Sequence, residues 1–193
     1  MYEFVLYSRK GHTDGQFKTL LAGGRLDIVY QCIITSIFTS HGHRHDVKFH
    51  GFLNGPPKPP IHLEVDGDKL YDVRLDERTW EHILKKVLDG GSHAGILIKK
   101  ESIQRFISDK AKSGVDIFVL EERGRNIKKV DFKDSAIFFL GDHIGIPKKD
   151  EKFMLRFGEK LSMGKQRYLA ASCIDIINYT LDEHIFSKYN MKR

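Results

Sequence analysis

Three stretches of the 193-residue sequence bring chemically capable side chains together. In Phe138-Phe139-Leu140-Gly141-Asp142-His143-Ile144-Gly145-Ile146-Pro147, an apolar run ends on a loop with two glycines, and a proline then opens a helix. Glycines at the carboxyl end of a buried strand let backbone approach a ligand closely, and open α/β sheets bind ligands at that edge. Asp142 and His143 could contact a ribose, a phosphate or a base. The competing reading is a tight strand–helix turn with Asp142 as a local cap. The spacing fits neither a Walker loop nor GxGxxG. The second stretch, Leu161-Ser162-Met163-Gly164-Lys165-Gln166-Arg167-Tyr168-Leu169, is strand-like and turns at Gly164 into a helix. The free amides of that helix start could hold a carboxylate, a purine edge or a phosphate; a plain turn is the alternative.

The third stretch is His41-Gly42-His43-Arg44-His45-Asp46, with His50 beyond. Alternating histidines on extended backbone point one way and could ligate a metal. Arg44 inside the run would repel a cation, and no cysteine or second acidic cluster completes a site. A solvated basic loop facing RNA is therefore the preferred reading, and no metal is expected. Arg44 and Asp46 suit a base edge, as donor and acceptor. Arg25 and Asp27, just after Gly23-Gly24, could do the same, or form an ordinary first helical turn. GxSxG, HExxH, SxxK and a Cys–His pair are all missing, so covalent hydrolase chemistry has no support. Cys32 and Cys173 each lie in an apolar helical pattern, as packed thiols in a reducing compartment do.

These residues need elements to position them. Residues 2–7 and 46–53 read as strands, with a long polar, glycine-rich loop at 8–24 and a helix from Arg25 to Ser40 between them. Four of the five prolines fall in Asn54–Pro60, a stiff extended turn. Asp66-Gly67-Asp68 predicts a hairpin joining 61–65 to 69–74. Asp76 caps a helix over 77–88, 95–99 is a short strand, and Ser102 to Ser113 is helical, ending at Gly114. The apolar runs 115–120 and 135–140 read as buried parallel strands. Pro147 opens a helix to Phe157, 160–163 is a last strand, and Gln166 to Phe186 is a long final helix. Strands and helices alternate through the second half, which predicts an α/β fold with a mostly parallel sheet and helices on both faces.

Composition narrows the class. Hydrophobic residues make up 40% and charged residues 30%, which excludes a disordered or low-complexity chain and fits one domain. No apolar run approaches a membrane span, and no signal peptide is expected. The formal charge of +6 favours a polyanionic partner, nucleic acid ahead of membrane.

Read in order, Gly24-Arg25-Leu26-Asp27, Ser40-His41 with Arg44 and Asp46, the Gly55–Pro60 turn, Asp76-Glu77-Arg78 and Phe139–Gly145 resemble one family over nearly the whole chain. The family is the SPOUT-class tRNA pseudouridine-54 N1-methyltransferases. The resemblance implies a single SPOUT domain over 1–193, with a trefoil-knotted cofactor-binding part from about residue 115. It implies S-adenosylmethionine as cofactor, tRNA as substrate, a homodimer, and a cytoplasmic protein without membrane or metal. Carried over residue by residue, the cofactor loops fall at Leu120, at Leu140, Gly141 and Gly145, at Met163, Gly164, Lys165, Gln166, Arg167 and Tyr168, and at Cys173. Asp46 is then the first candidate to accept the N1 proton and Asp27 the second, with Arg25 and Arg44 binding phosphate or base carbonyls. Lys10, Lys18, Lys48 and Lys58 could track the tRNA backbone. The third loop departs from relatives: Gly164-Lys165-Gln166-Arg167 stands where others carry a Ser-Pro or Gly-Pro pair and an acid. His43 and His45 also lie outside the pattern. Rival readings are a SPOUT enzyme acting on ribosomal pseudouridine or a ribose 2′-hydroxyl, a non-catalytic RNA-binding module, and a metal-dependent hydrolase built on the histidine run.

Overall fold

The computed structural model describes the backbone of residues 1–190 and side chains through Phe186; the last three residues of the expected 115–193 part lie outside the described residues. The chain runs β1 (Tyr2–Ser8), α1 (Leu26–Ile37), β2 (Phe38–Thr39), β3 (Gly42–His43), β4 (Val47–Leu53), β5 (Ile61–Asp66), α2 (Glu77–Leu88), β6 (Ile96–Lys99) and α3 (Ile103–Lys112). It continues through β7 (Asp116–Asn126), β8 (Ala136–Gly141), α4 (Lys148–Met154), β9 (Glu159–Ser162) and α5 (Ala170–Asn190). Seven strands form one sheet in the order β6-β5-β4-β1-β8-β7-β9. β4, β1, β8, β7 and β9 are mutually parallel, while β5 and β6 add antiparallel strands at one edge.

Strand alternation divides the core. Phe4, Leu6, Phe49, Leu63, Phe138 and Leu140 face one side, packing with Leu26, Val29 and Ile33 of α1, Trp80 and Leu84 of α2, and Ile174 and Ile177 of α5. Val5, Phe52, Val119, Ile137 and Phe139 face the other, under Ile103, Phe106 and Ile107 of α3 and Met154 of α4. Helices therefore cover both faces, which is why the parallel strands read as continuous apolar runs. α1 is rich in β-branched residues of modest helix propensity and is held by this burial. Asp76 and Ser102 cap α2 and α3 by accepting from the amides of Thr79 and Arg105.

The predicted hairpin over 61–74 does not form. The Asp66 carbonyl accepts from the amides of Lys69 and Leu70, so the chain curls into a turn and Leu70 enters the core. β5 takes β6 as its second neighbour instead, from His62↔Lys99 to Val65↔Ile96. The helix expected over 25–40 stops at Ile37, and Phe38–Thr39 pairs with Gly42–His43 as a small ribbon. α4 stops at Met154, short of Phe157, and α5 begins at Ala170, after Gln166.

β7 is longer than its apolar run. Beyond Leu120 the sequence turns polar, yet the strand continues to Asn126 because its backbone returns to β9. Leu161 of β9 pairs first with Leu120 and again with Arg125, so residues 121–124 make an excursion around that strand. The Ser162 hydroxyl donates to the Glu122 carbonyl at 2.9 Å. Gly124 lies so close that an added Cβ would be 2.7 Å from the Lys160 carbonyl.

At the other end of the sequence, Gly24 has φ +72°, and a Cβ there would sit 1.7 Å from the Lys10 carbonyl oxygen. Gly90 also has positive φ, but open space surrounds it. Gly24→Ala is expected to lower the unfolding free energy by about 2–4 kcal/mol, against about 1 kcal/mol for Gly90→Ala. Urea denaturation of the two variants measures this; equal losses would contradict the packing described.

Candidate active site

The loops that follow β1, β4 and β8 meet at the carboxyl end of the sheet. β1 and β8 are paired to Tyr7↔Gly141, and β1 and β4 to Ser8↔Leu53, so all three strands deliver their loops to one edge. Gly24 and Gly55 both pack on the Lys10 backbone; a Cβ at Gly55 would lie 2.2 Å from its carbonyl oxygen. The Gly55 amide donates to the Gly11 carbonyl, and the Thr13 hydroxyl accepts the Lys58 amide at 2.7 Å. Three segments far apart in sequence thus share one backbone-lined floor.

Asp142 closes this floor. Its Oδ2 accepts the Arg9 amide at 2.7 Å and its Oδ1 accepts the Ile144 amide at 2.9 Å. The Gly145 amide donates to the Asp142 carbonyl, completing a turn. Of the two readings of Asp142, the capping turn is the one observed: its carboxylate oxygens are held by backbone amides. His143 and Ile144 stand exposed at the tip. Beneath, the Tyr7 hydroxyl donates to Asp150 Oδ2 at 3.0 Å, and Gln104 donates to the other oxygen at 2.6 Å. Burial, reinforced by Asp150, pushes the Tyr7 hydroxyl up to about 12, so it remains a donor.

Arg25 precedes α1 with φ +70°, an uncommon conformation for a residue with a side chain. Its guanidinium grips Asp27 through two nitrogens, Nε to Oδ1 and Nη2 to Oδ2, each at 3.0 Å. The bond to Asp27 raises the Arg25 pKa, and the Asp142 charge adds to this. Arg44 and Asp46 lie elsewhere. Arg44 forms a bidentate pair with Asp182 of α5, 138 positions away, and Asp46 is exposed where its carbonyl accepts the Tyr2 amide. Tyr2 begins β1 and Ser8 ends it, so the two halves of the expected catalytic set are about 20 Å apart within one chain, at about 3.3 Å per residue.

The remaining loops follow β7 and β9, next to β8. Leu120 is half-buried against the core. After β9, Ser162 accepts the Gly164 amide at 3.1 Å, and Arg167 forms an ion pair with Glu122. Lys165, Gln166, Arg167 and Tyr168 are exposed. Gly145 (φ +85°) and Gly164 (φ +116°) border open space where a Cβ would meet nothing within 4 Å. Bare backbone at the ends of β8 and β9, on either side of β7, fits a flat, polar ligand such as a nucleoside. Cys173 is half-buried, its amide donates to the Leu169 carbonyl, and burial pushes its thiol up to about 11, as in a packed thiol.

Among the described residues, the 41–45 histidines do not form a metal-ligand group. The His43 and His45 rings are tilted 48° to each other with centroids 4.7 Å apart, and His45 faces Asp68 at 3.4 Å. Of the four lysines expected to follow RNA, Lys10, Lys18 and Lys58 are exposed, but Lys48 is held by Asp66 at 2.9 Å and by Glu64. A cavity of about 540 Å³ lies at the opposite, amino ends of β7 and β9, lined by Asp116, Arg125, Lys133 and Arg156, and takes no part in this edge.

Residues 1–186 match a family model described as "Putative SAM-dependent RNA methyltransferase". The chain belongs to this family. It is 35% identical over 196 residues to the tRNA (pseudouridine(54)-N(1))-methyltransferase of Methanococcus maripaludis, covering 95% of this chain and 99% of that protein. It is 33% identical over 195 residues to the enzyme of the same name from Methanococcus vannielii, covering 94% and 98%. Among solved structures, Archaeoglobus fulgidus Nep1 bound to S-adenosylhomocysteine matches with a TM-score of 0.63 at 13% identity, over 83% of this chain and 71% of that one. That likeness establishes the fold alone, and the expected SPOUT α/β architecture is the one observed.

The sequence offered no signal for Asp182 as the partner of Arg44, nor for Tyr7, Gln104 and Asp150 as a brace, because each pairing is long-range. Asp142→Ala removes the acceptor of two part-buried amide hydrogen bonds. It is expected to cost about 2 kcal/mol of stability and to weaken S-adenosylhomocysteine binding, checked by denaturation and calorimetry. Unchanged stability and affinity would contradict the capping role.

Proposed function

We propose that the chain methylates N1 of pseudouridine 54 in the T-loop of tRNA, with S-adenosylmethionine as donor. The observation that carries this reading is the convergence of Gly24–Asp27, Gly55–Pro60 and Gly141–Gly145 on one edge of the sheet. Those are three of the stretches on which the family resemblance rests. The 141–145 and 163–168 loops would hold the cofactor mainly through backbone, with Leu120 and Cys173 as apolar walls. When bound, the cofactor supplies an electrophilic methyl group on sulfur.

The chain's own residues then have three tasks. They hold N1 in line with the methyl group, an effect of several kcal/mol by proximity. A carboxylate accepts the N1 proton, which the ring nitrogen must lose to become a good nucleophile. Arginine donors stabilise charge developing on the ring carbonyls. Within one chain Asp27 and Arg25 are the pair beside the cofactor loops. Asp46 and Arg44 reach such a site only from a second copy. The base leaves its stack to enter, and Lys10, Lys18 and Lys58 follow the phosphates. The reading assigns no metal to the transfer.

A homodimer belongs to the same reading. Tyr168, Leu169, Tyr179 and Phe186 are exposed apolar residues on and just before α5, with Tyr179 and Phe186 on one face. We also infer that the 121–125 excursion is one side of a trefoil knot through which α5 follows β9; the double pairing of Leu161 supports it. No helix among the described residues is long and apolar enough to cross a membrane, which agrees with a cytoplasmic enzyme.

The test is transfer of tritiated methyl to two transcripts of one tRNA, with pseudouridine or uridine at the T-loop position. Label on the pseudouridine version alone is expected, falling about 100-fold or more in Asp27→Asn and in Asp46→Asn. Light scattering should give a dimer mass, and Tyr179→Glu a monomer. Equal label on both transcripts would point to a ribose hydroxyl, and no label on either would overturn the tRNA substrate.

A further inference from the structure

β4 and β5 carry a second cluster of chemical groups, on the sheet face under α3 and away from the loop edge. His50 and Glu64 are direct partners across the antiparallel pair, and His62 is two residues from Glu64 on the same face. One ligand atom from each of the three lies within 4.8 Å of the others. Both histidines are 1% exposed, so their polar atoms must be satisfied inside the protein.

The bonding around the two rings poses a specific problem. His50 Nε2 lies 2.8 Å from Glu3 Oε2, and His62 Nδ1 lies 2.7 Å from Glu101 Oε2. A ring nitrogen facing a carboxylate carries the proton. A neutral imidazole has one N–H, so the inner nitrogens, His50 Nδ1 and His62 Nε2, are then both lone pairs. They face each other at 2.9 Å. Two lone pairs at that distance repel unless a cation lies between them.

A proton on either ring meets this requirement as an N–H···N hydrogen bond, and a divalent transition ion held by the same two nitrogens would replace it. Zinc sits about 2.0–2.1 Å from imidazole nitrogen, and a tetrahedral angle then asks for nitrogens about 3.3 Å apart. Rings that start at 2.9 Å need open by only a few tenths of an ångström. Glu3 and Glu101 already occupy the outer nitrogens, the carboxylate–histidine arrangement that orients metal-binding rings. A cavity of about 320 Å³ adjoins the cluster and leaves room for a water ligand. Charge permits it: Glu3, Glu64, Glu101 and Asp109 face the cluster against Lys48, Lys99 and Lys110. Lys48 and Lys99 hold Glu64 at 3.4 and 3.1 Å and would yield it to the ion.

We propose that His50 Nδ1, His62 Nε2 and a Glu64 oxygen form a structural site for one divalent transition ion of the zinc class. The ion would clip β4 to β5 and, through Glu3 and Glu101, tie β1 and the start of α3 to them. It is separate from the methyl-transfer edge and does not depend on that reading. His41, His43 and His45, where the sequence reading expects no metal, take no part in this buried group.

The experiment is zinc titration of the chelator-stripped, tag-free full chain, read by native mass spectrometry and by competition with a chromophoric chelator. One zinc per chain is expected, with a rise in thermal midpoint. His62→Gln should abolish binding. Glu64→Gln, whose buried rings are intact and whose fold is thereby protected, should weaken it at least tenfold. His43→Ala/His45→Ala should bind as the parent does. Cobalt in place of zinc should give the visible bands of a tetrahedral centre. Absence of a one-to-one complex, affinity equal in Glu64→Gln and parent, or loss of binding in the His43/His45 variant would each overturn the proposal.

Discussion

The close approach of backbone to backbone at Lys10 is the constraint on which the site depends. Gly24 and Gly55 each lie where a side-chain carbon would strike the Lys10 carbonyl. Only with both contacts made can the segment before α1 and the proline turn after β4 stand beside the β8 loop. Asp142 then ties that loop to Arg9, next to Lys10 in the chain. The left-handed Arg25 and its grip on Asp27 follow on from this floor at the start of α1. Backbone amides and glycines build the floor, so its shape is set by main-chain geometry and not by rotamers.

Much of the fold was legible in the sequence, for reasons that can be named. The runs at 115–120 and 135–140 are apolar throughout because helices cover both faces of the sheet. Asp76 and Ser102 announced their helices because capping is local chemistry. What failed was non-local. Asp66-Gly67-Asp68 is a sound turn signal, and a turn is there, but nothing nearby in sequence says that β6, 30 residues on, supplies the neighbouring strand. The polar 121–126 segment carries no strand pattern; it is a strand because β9 returns to it.

The site was legible in a similar proportion. The glycine loops at 141–145 and 164 lie at the ends of buried strands, the position read for them in the sequence. The two acid–arginine pairs read alike in sequence, but the fold sends Arg25 and Asp27 to the loop edge and Arg44 and Asp46 to the other end of β1. The buried histidines escaped notice for a plainer reason. His50 was read only with the 41–46 run, His62 carries no local signal, and only strand register puts them face to face.

Hydrogen exchange with and without S-adenosylhomocysteine tests the central claim most directly, since it asks which backbone forms the cofactor cradle. The account predicts slowed exchange in residues 120–126, 141–146 and 163–173, and no change at 41–46 in a chain carrying Tyr179→Glu. Protection confined to other segments, or binding that leaves 141–146 unaltered, would contradict it.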